Sequence, residues 1–173
     1  IETLAVNKLI KDSGLGFDFS FDKGKVEVDM KTFFNKDMKK IVEKYYNKNK
    51  INYELVKSVE IDNAKSFSIG YFSLDFMRYL IKESGLEATV NHQLASTNRT
   101  LEDLTTTFTG DYVYAEMKTN PDLGSVYSGD RVMVLGFNPK KKDVLISLLQ
   151  GPFENSSEKY AIVDDKVIFS DNQ

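Results

Sequence analysis

The sequence predicts an α+β domain, with helices of the N-terminal half packed on one face of an antiparallel β-sheet meander. Three observations carry this prediction. The chain from Thr105 onward is mostly strand-like runs broken by short turn signals, residues 35–46 place apolar side chains at helical spacing, and 173 residues with 12 Phe and 9 Tyr suffice to fill one core. A single domain over 1–173 follows from that length.

The elements read in order. Leu4, Val6, Leu9 and Ile10 suggest a short helix over Ile1–Asp12, with Gly14 to stop it. From Phe17 the period becomes two. Phe17, Phe19 and Phe21 alternate with Asp18, Ser20 and Asp22, and after Lys23-Gly24 the residues Val26, Val28 and Met30 alternate with Glu27 and Asp29, which is a β-hairpin. Asn35 is placed to cap a helix carrying Met38, Ile41, Val42, Tyr45 and Tyr46 on one stripe and Lys36, Lys39, Lys40 and Lys44 elsewhere. Leu55–Ile61 and Phe67–Phe72 read as strands. A helix then starts at the cap Ser73 and ends at Gly85. Residues 86–97 show no clear period, and Thr100 with Asp103 forms a capping box for one helical turn. Strands are expected over Thr105–Lys118, Arg131–Phe137, Val144–Leu149, Tyr160–Val163 and Lys166–Phe169, separated by Asn120-Pro121, Asn138-Pro139, Gly151-Pro152 and Asp164-Asp165. Val144–Leu149 is apolar on both sides except Ser147, so it is expected to be a central strand.

Composition narrows the chemistry. Cysteine is absent, which removes disulfides, thiolate metal sites and thiol nucleophiles, and His92 is the single histidine. A net charge of −3 argues against a general nucleic-acid binder. No run of 18 apolar residues is present to span a bilayer. The sequence begins at Ile1 rather than Met, which fits prior removal of a leader or anchor. His92 stands between Asn91 and Gln93 with no motif around it, and no G-x-S-x-G elbow, phosphate-binding glycine loop or paired-histidine helix occurs. Asn98-Arg99-Thr100 and Asn155-Ser156-Ser157 match the N-glycosylation pattern. No catalytic residue, metal site or cofactor is assigned, and the chain is not expected to be an enzyme.

Two carboxylate-bearing surfaces stand out as candidate binding sites. Pairing the hairpin about Lys23-Gly24 sets Asp18 against Asp29 and Ser20 against Glu27, so Asp18, Glu27 and Asp29 share one face. That face fits a solvated surface relieved by nearby lysines, a basic protein partner, or a hard cation such as calcium. Farther on, residues 31–65 carry net +4 whereas 101–173 carry net −5, which makes the sheet the acidic end. Within it Tyr112, Tyr114 and Glu116 fall on one side of their strand, with Val113, Ala115 and Met117 on the other; Asp111 precedes them. Tyrosine beside carboxylate suits protein recognition, since the ring gives contact area and the charge steers a basic partner. The same rings also suit ordinary sheet residues half buried under a loop.

The layout from about Thr32 to Phe169, and the stretches Phe108–Lys118, Asp130–Phe137 and Asp143–Leu149 in particular, resemble the TipC-type immunity proteins that protect streptococci from a type VII secreted toxin. The resemblance implies an extracytoplasmic protein of a Gram-positive bacterium, tethered at the cell surface through a removed N-terminal segment, that covers the active site of a cognate secreted toxin with an acidic sheet face. Without the tether, a cytoplasmic location is expected. The competing expectation is a small-ligand-binding or enzymatic cone-shaped α+β domain. Its mark is a closed apolar cavity above roughly 300 Å³ with a few converging polar groups.

Overall fold

The structure is a computed structural model that describes residues 11–46, 51–118, 131–153 and 159–170. The expected N-terminal helix lies almost wholly outside these residues, as do the turn at Asn120-Pro121 and the acceptor pattern at Asn155.

Strands β1 (Gly14–Asp22) and β2 (Lys25–Phe33) pair antiparallel as a two-stranded sheet. Their register follows the alternation: Phe21 faces Val26, Phe19 faces Val28, Asp18 faces Asp29, and Gly24 takes the positive φ of the turn. Helix α1 (Lys36–Tyr46) follows, and the Met38 N–H donates to Asn35 Oδ1 at 2.8 Å, as the capping pattern requires.

A second sheet holds five antiparallel strands, β3 (Ala64–Tyr71), β4 (Phe108–Met117), β5 (Arg131–Phe137), β6 (Lys159–Val163) and β7 (Lys166–Ser170), in the order β3-β4-β5-β7-β6. The first three form a meander. The last two form a hairpin that returns with its second strand innermost, so β7 rather than β6 pairs with β5. Helices α2 (Leu74–Glu83), α3 (Glu87–Leu94) and α4 (Leu101–Thr107) lie between β3 and β4, and α5 (Lys142–Phe153) lies between β5 and β6. Ser73 caps α2 by accepting the Phe76 N–H, and Thr100 with Asp103 makes the full capping box of α4.

Three expectations are corrected, and one stretch left without assignment is a helix. Val144–Leu149 is not a strand but the middle of α5, whose Leu145, Leu148 and Leu149 are buried at i, i+3 and i+4. It is entered through a 3₁₀ turn at Pro139–Lys141, opened by Asn138 accepting the Lys140 N–H with Pro139 next in the chain. Leu55–Ile61 is not a strand either; it lies in 3₁₀ turns at Tyr53–Ser58 and Ile61–Asn63, the first opened by Asn52 accepting the Glu54 N–H. Residues 87–94, without a clear sequence period, are helical as α3. Thr105–Thr107 end α4 instead of beginning β4, because Thr105 and Thr106 hydroxyls donate back to the Leu101 and Glu102 carbonyls and satisfy themselves in a helix.

The five-stranded sheet carries an apolar cluster on each face. On one side Leu145 and Leu149 of α5 pack with Phe137, Val167 and Phe169, joined by Phe108, Leu135 and Ile162. On the other, Leu55 from the first 3₁₀ turn packs on Val113 and Val134, with Ile69, Val132 and Ile168 around it. Helices α1, α2, α4 and α5 contact one another in series. Tyr45 and Tyr46 of α1 pack against the buried Phe76 of α2, and Tyr46 also meets Tyr71 edge-on.

Candidate interaction surface

Register decides which side chains share a face. Tyr112 is opposite Leu135 and Gly70, Tyr114 is opposite Met133 and Ser68, and Glu116 is opposite Arg131 and Ser66. Directly paired residues point to the same side of a sheet. Tyr112, Tyr114 and Glu116 therefore lie on the face that α5 covers, but α5 reaches the β5, β7 and β6 portion through Leu135, Val167 and Phe169. The β3 and β4 portion stays open, with Tyr114 and Met133 each 38% exposed and Ser66 and Ser68 exposed beside them. Val113 and Ala115 are fully buried on the reverse face, in agreement with the alternation.

Tyr112 is held in place from below. It lies across Gly70 so closely that a Cβ there would stand 2.6 Å from the tyrosine hydroxyl oxygen. Gly110 is the second special backbone position. It has φ +90°, its carbonyl accepts the Phe72 N–H at 2.9 Å, and a Cβ on it would lie 2.1 Å from the Phe72 carbonyl oxygen. It sits where the β4–β5 register shifts between Phe108 and Tyr112, so the strand is bent there. The bend opens an apolar groove of about 310 Å³ lined by Phe72, Leu74, Phe108, Tyr112, Met133 and Leu135, with Gly110, Gly136 and Asp111 completing it. This groove is open to solvent, not the closed cavity expected of a cone-shaped ligand-binding domain. Phe72, Leu74, Met133 and Leu135 were not marked by the sequence. A glycine inside the strand pattern at 110 was the available sign of an irregularity beside a binding surface.

The carboxylates proposed from sequence occupy different settings. Asp111 has the parity of Val113, not of the tyrosines. Its carboxylate accepts the Asn52 N–H at 3.1 Å and the Thr109 hydroxyl at 3.0 Å, and so ties the first 3₁₀ turn to the sheet. Glu116 is on the tyrosine face but pairs with Lys65 at 2.8 Å. That hydrogen bond, together with the carboxylate charge, raises the Lys65 ammonium above its ordinary pKa. On the hairpin, Asp18 pairs with Lys31 at 2.5 Å and Glu27 pairs with Lys25, which relieves the repulsion of the Asp18–Asp29 facing pair. These three acids thus share the hairpin surface and belong to the two-stranded sheet, while the tyrosines belong to the five-stranded one. Among the described residues, no three acidic or histidine side chains gather as a metal site. His92 lies on α3 and is exposed.

A polar groove of about 350 Å³ between α1 and α2 is lined by Lys44, Tyr45, Asp75, Arg78, Tyr79 and Lys82, with Glu83 at its edge. Arg78 is already bound to Asp75 at 2.9 Å, and burial, with the Glu83 charge next, raises the Tyr79 hydroxyl above the usual tyrosine pKa. No helix among the described residues is long and apolar enough to cross a membrane. Comparison of the chain with protein-family models, with curated proteins and with solved structures returned no match.

Proposed function

We propose that the chain is a non-catalytic binding module, a toxin-neutralising immunity protein that occludes a cognate secreted toxin with the open part of its five-stranded sheet. The observation that carries this reading is an apolar groove lined by Tyr112 and the partly exposed Met133, with the equally exposed Tyr114 paired across from Met133. Such a surface receives an apolar side chain from a partner, with aromatic contact area around it and Glu116 farther along the same face, which is how a few anchors supply most of an interface's affinity. Lysine pairing of Asp18, Glu27 and Glu116 makes the acidic charge a secondary influence on encounter rate. A toxin as the partner, and a tethered position outside the membrane, rest on the layout resemblance. The open groove also favours a second reading, in which it holds a small apolar ligand.

The test is to express the product of the neighbouring gene with this chain and without it. Growth arrest that the wild-type chain relieves, and that a Tyr114→Asp, Met133→Asp double variant with an unchanged melting temperature does not, is the expected result. A neighbouring product that is harmless and does not associate with the chain in calorimetry overturns the toxin reading. Saturable uptake of a small apolar dye, lost in the same double variant, would then favour the ligand reading.

A further inference from the structure

The β1–β2 hairpin presents an apolar face made by Leu15, Phe17, Phe19, Phe21, Val26, Val28 and Met30, and each of these is more than half exposed, from 52% at Val28 to 76% at Phe21. Among the described residues nothing covers it; all residues of β2 and all but Gly16 of β1 are exposed. A lone two-stranded sheet is marginal in water, because a single pair of strands cannot bury its own face. Eighteen residues in regular register therefore call for a surface that lies on them.

We propose that this face is a homodimer interface: two copies of the chain stack their hairpins face to face, making a four-stranded β-sandwich at the junction. Three properties favour a second copy over other occupants. A two-fold interface needs a patch complementary to itself, and a face that is apolar from Leu15 to Phe21 and from Val26 to Met30 meets that condition without any charge having to find its opposite. The exposed area is also of the right size, since three phenylalanines and four aliphatic side chains at these exposures amount to roughly 700 Å² per copy, against about 800 Å² per partner in a stable interface. Third, the reverse face is already that of a sandwich's outer side. Asp18, Asp22, Lys25, Glu27, Asp29 and Lys31 give it both signs, with Lys31 on Asp18 and Lys25 on Glu27, and Phe33 at the far end of β2 is the one large apolar side chain on it. An anionic membrane is a poorer fit, because residues 11–33 hold four lysines against five acids.

The chain has no cysteine, so a single introduced thiol reports its own neighbours. Sedimentation of the full chain over a range of concentrations is expected to give twice the mass of one chain, and Phe19→Asp is expected to weaken the dimer by roughly a hundredfold. Under mild oxidation, Val28→Cys is expected to cross-link chain to chain, whereas Glu27→Cys, on the reverse face, is not. Phe19→Asp also serves as a check on folding, since its five-stranded sheet should melt as the wild-type chain does when both are monomeric. The proposal is overturned by a wild-type chain that remains monomeric at about 100 μM, a concentration far above that needed for a stable interface. If that monomer floats with phosphatidylcholine vesicles, lipid is the occupant; if it stays in solution, the chain covers the face itself. Equal cross-linking of Val28→Cys and Glu27→Cys overturns it as well.

Discussion

The β1–β2 hairpin and the β4–β5 pair are both antiparallel strand pairs rich in apolar residues, and they end in opposite environments. Phe17 to Met30 alternate apolar and polar residues across an unbroken register, whereas Tyr112 to Met117 alternate beside a β5 that is apolar from Val132 to Leu135, and the β4–β5 register shifts between Phe108 and Tyr112. Yet Val113 and Val134 are completely buried whereas Val28 is 52% exposed. The difference is one of supply. The β4–β5 pair has Leu55 delivered to one face by a 3₁₀ turn and Leu145 and Leu149 to the other by α5, but no helix among the described residues is directed to the hairpin. Alternation specifies a strand and its two faces; it does not specify what lies on the apolar one.

The sharpest way to break this comparison is to put the same charge in both places. Val134→Asp buries a carboxylate among Leu55, Val113 and Ile168 and is expected to cost about 4 kcal/mol or more, enough to unfold the sheet. Val28→Asp, studied in dilute solution, is expected to change the hydrogen-exchange protection of β4 and β5 by no more than about 0.5 kcal/mol, as an exposed substitution does. Comparable losses of protection in the two variants would mean that the hairpin is part of the same cooperative unit.

A second, smaller effect concerns the bend that opens the groove. Gly110→Ala must place a Cβ against the Phe72 carbonyl at a positive φ, and is expected to cost roughly 2 kcal/mol in denaturant melts. Gly24→Ala, at the hairpin turn, meets no neighbouring atom and is expected to cost about 1 kcal/mol from its φ alone, and only in the hairpin. An inverted order would show that the turn, not the bend, is the strained position.

The smallest effect is electrostatic and has a definite sign. Lys65 and Tyr79 both have pKa values raised on folding, the first by its hydrogen bond to Glu116 and the second by burial. The folded chain therefore holds protons more tightly than the unfolded one. Their contribution is complete below about pH 10, where both groups are protonated in either state, and is lost as pH rises through the folded pKa values. Melting temperatures followed upward from pH 9 should fall less steeply in a Lys65→Met, Tyr79→Phe double variant than in the wild-type chain. The same slope in both would assign the alkaline loss to other groups.

Sequence reasoning succeeded where a local signal and the tertiary outcome coincide. Asn35, Ser73 and the Thr100–Asp103 box each cap a helix within three residues of themselves, and the hairpin register follows from Gly24 and a period of two. It failed where a run of apolar residues had no period to choose between structures. Val144–Leu149 suits a buried strand as well as a buried helix, and only the spacing of Leu145, Leu148 and Leu149 with Asn138-Pro139 upstream separates them. The candidate surface was half legible. The parity of Tyr112, Tyr114 and Glu116 was in the sequence, and so was relief of the hairpin acids by nearby lysines, but the Lys65 partner of Glu116 and the Asn52 contact of Asp111 were not, because Lys65 and Asn52 reach them only through strand pairing and chain reversal.

What the amino-acid order settled by itself is therefore the set of short-range choices: caps, the hairpin turn, the sidedness of each strand, and an α+β composition. The folded chain alone decided that β7 lies inside β6, that α5 covers only part of the tyrosine face, and that Gly110 bends β4 into a groove. These depend on contacts between residues far apart in the chain, whose free energy arises from burying surfaces together, and no local pattern encodes which surfaces will meet.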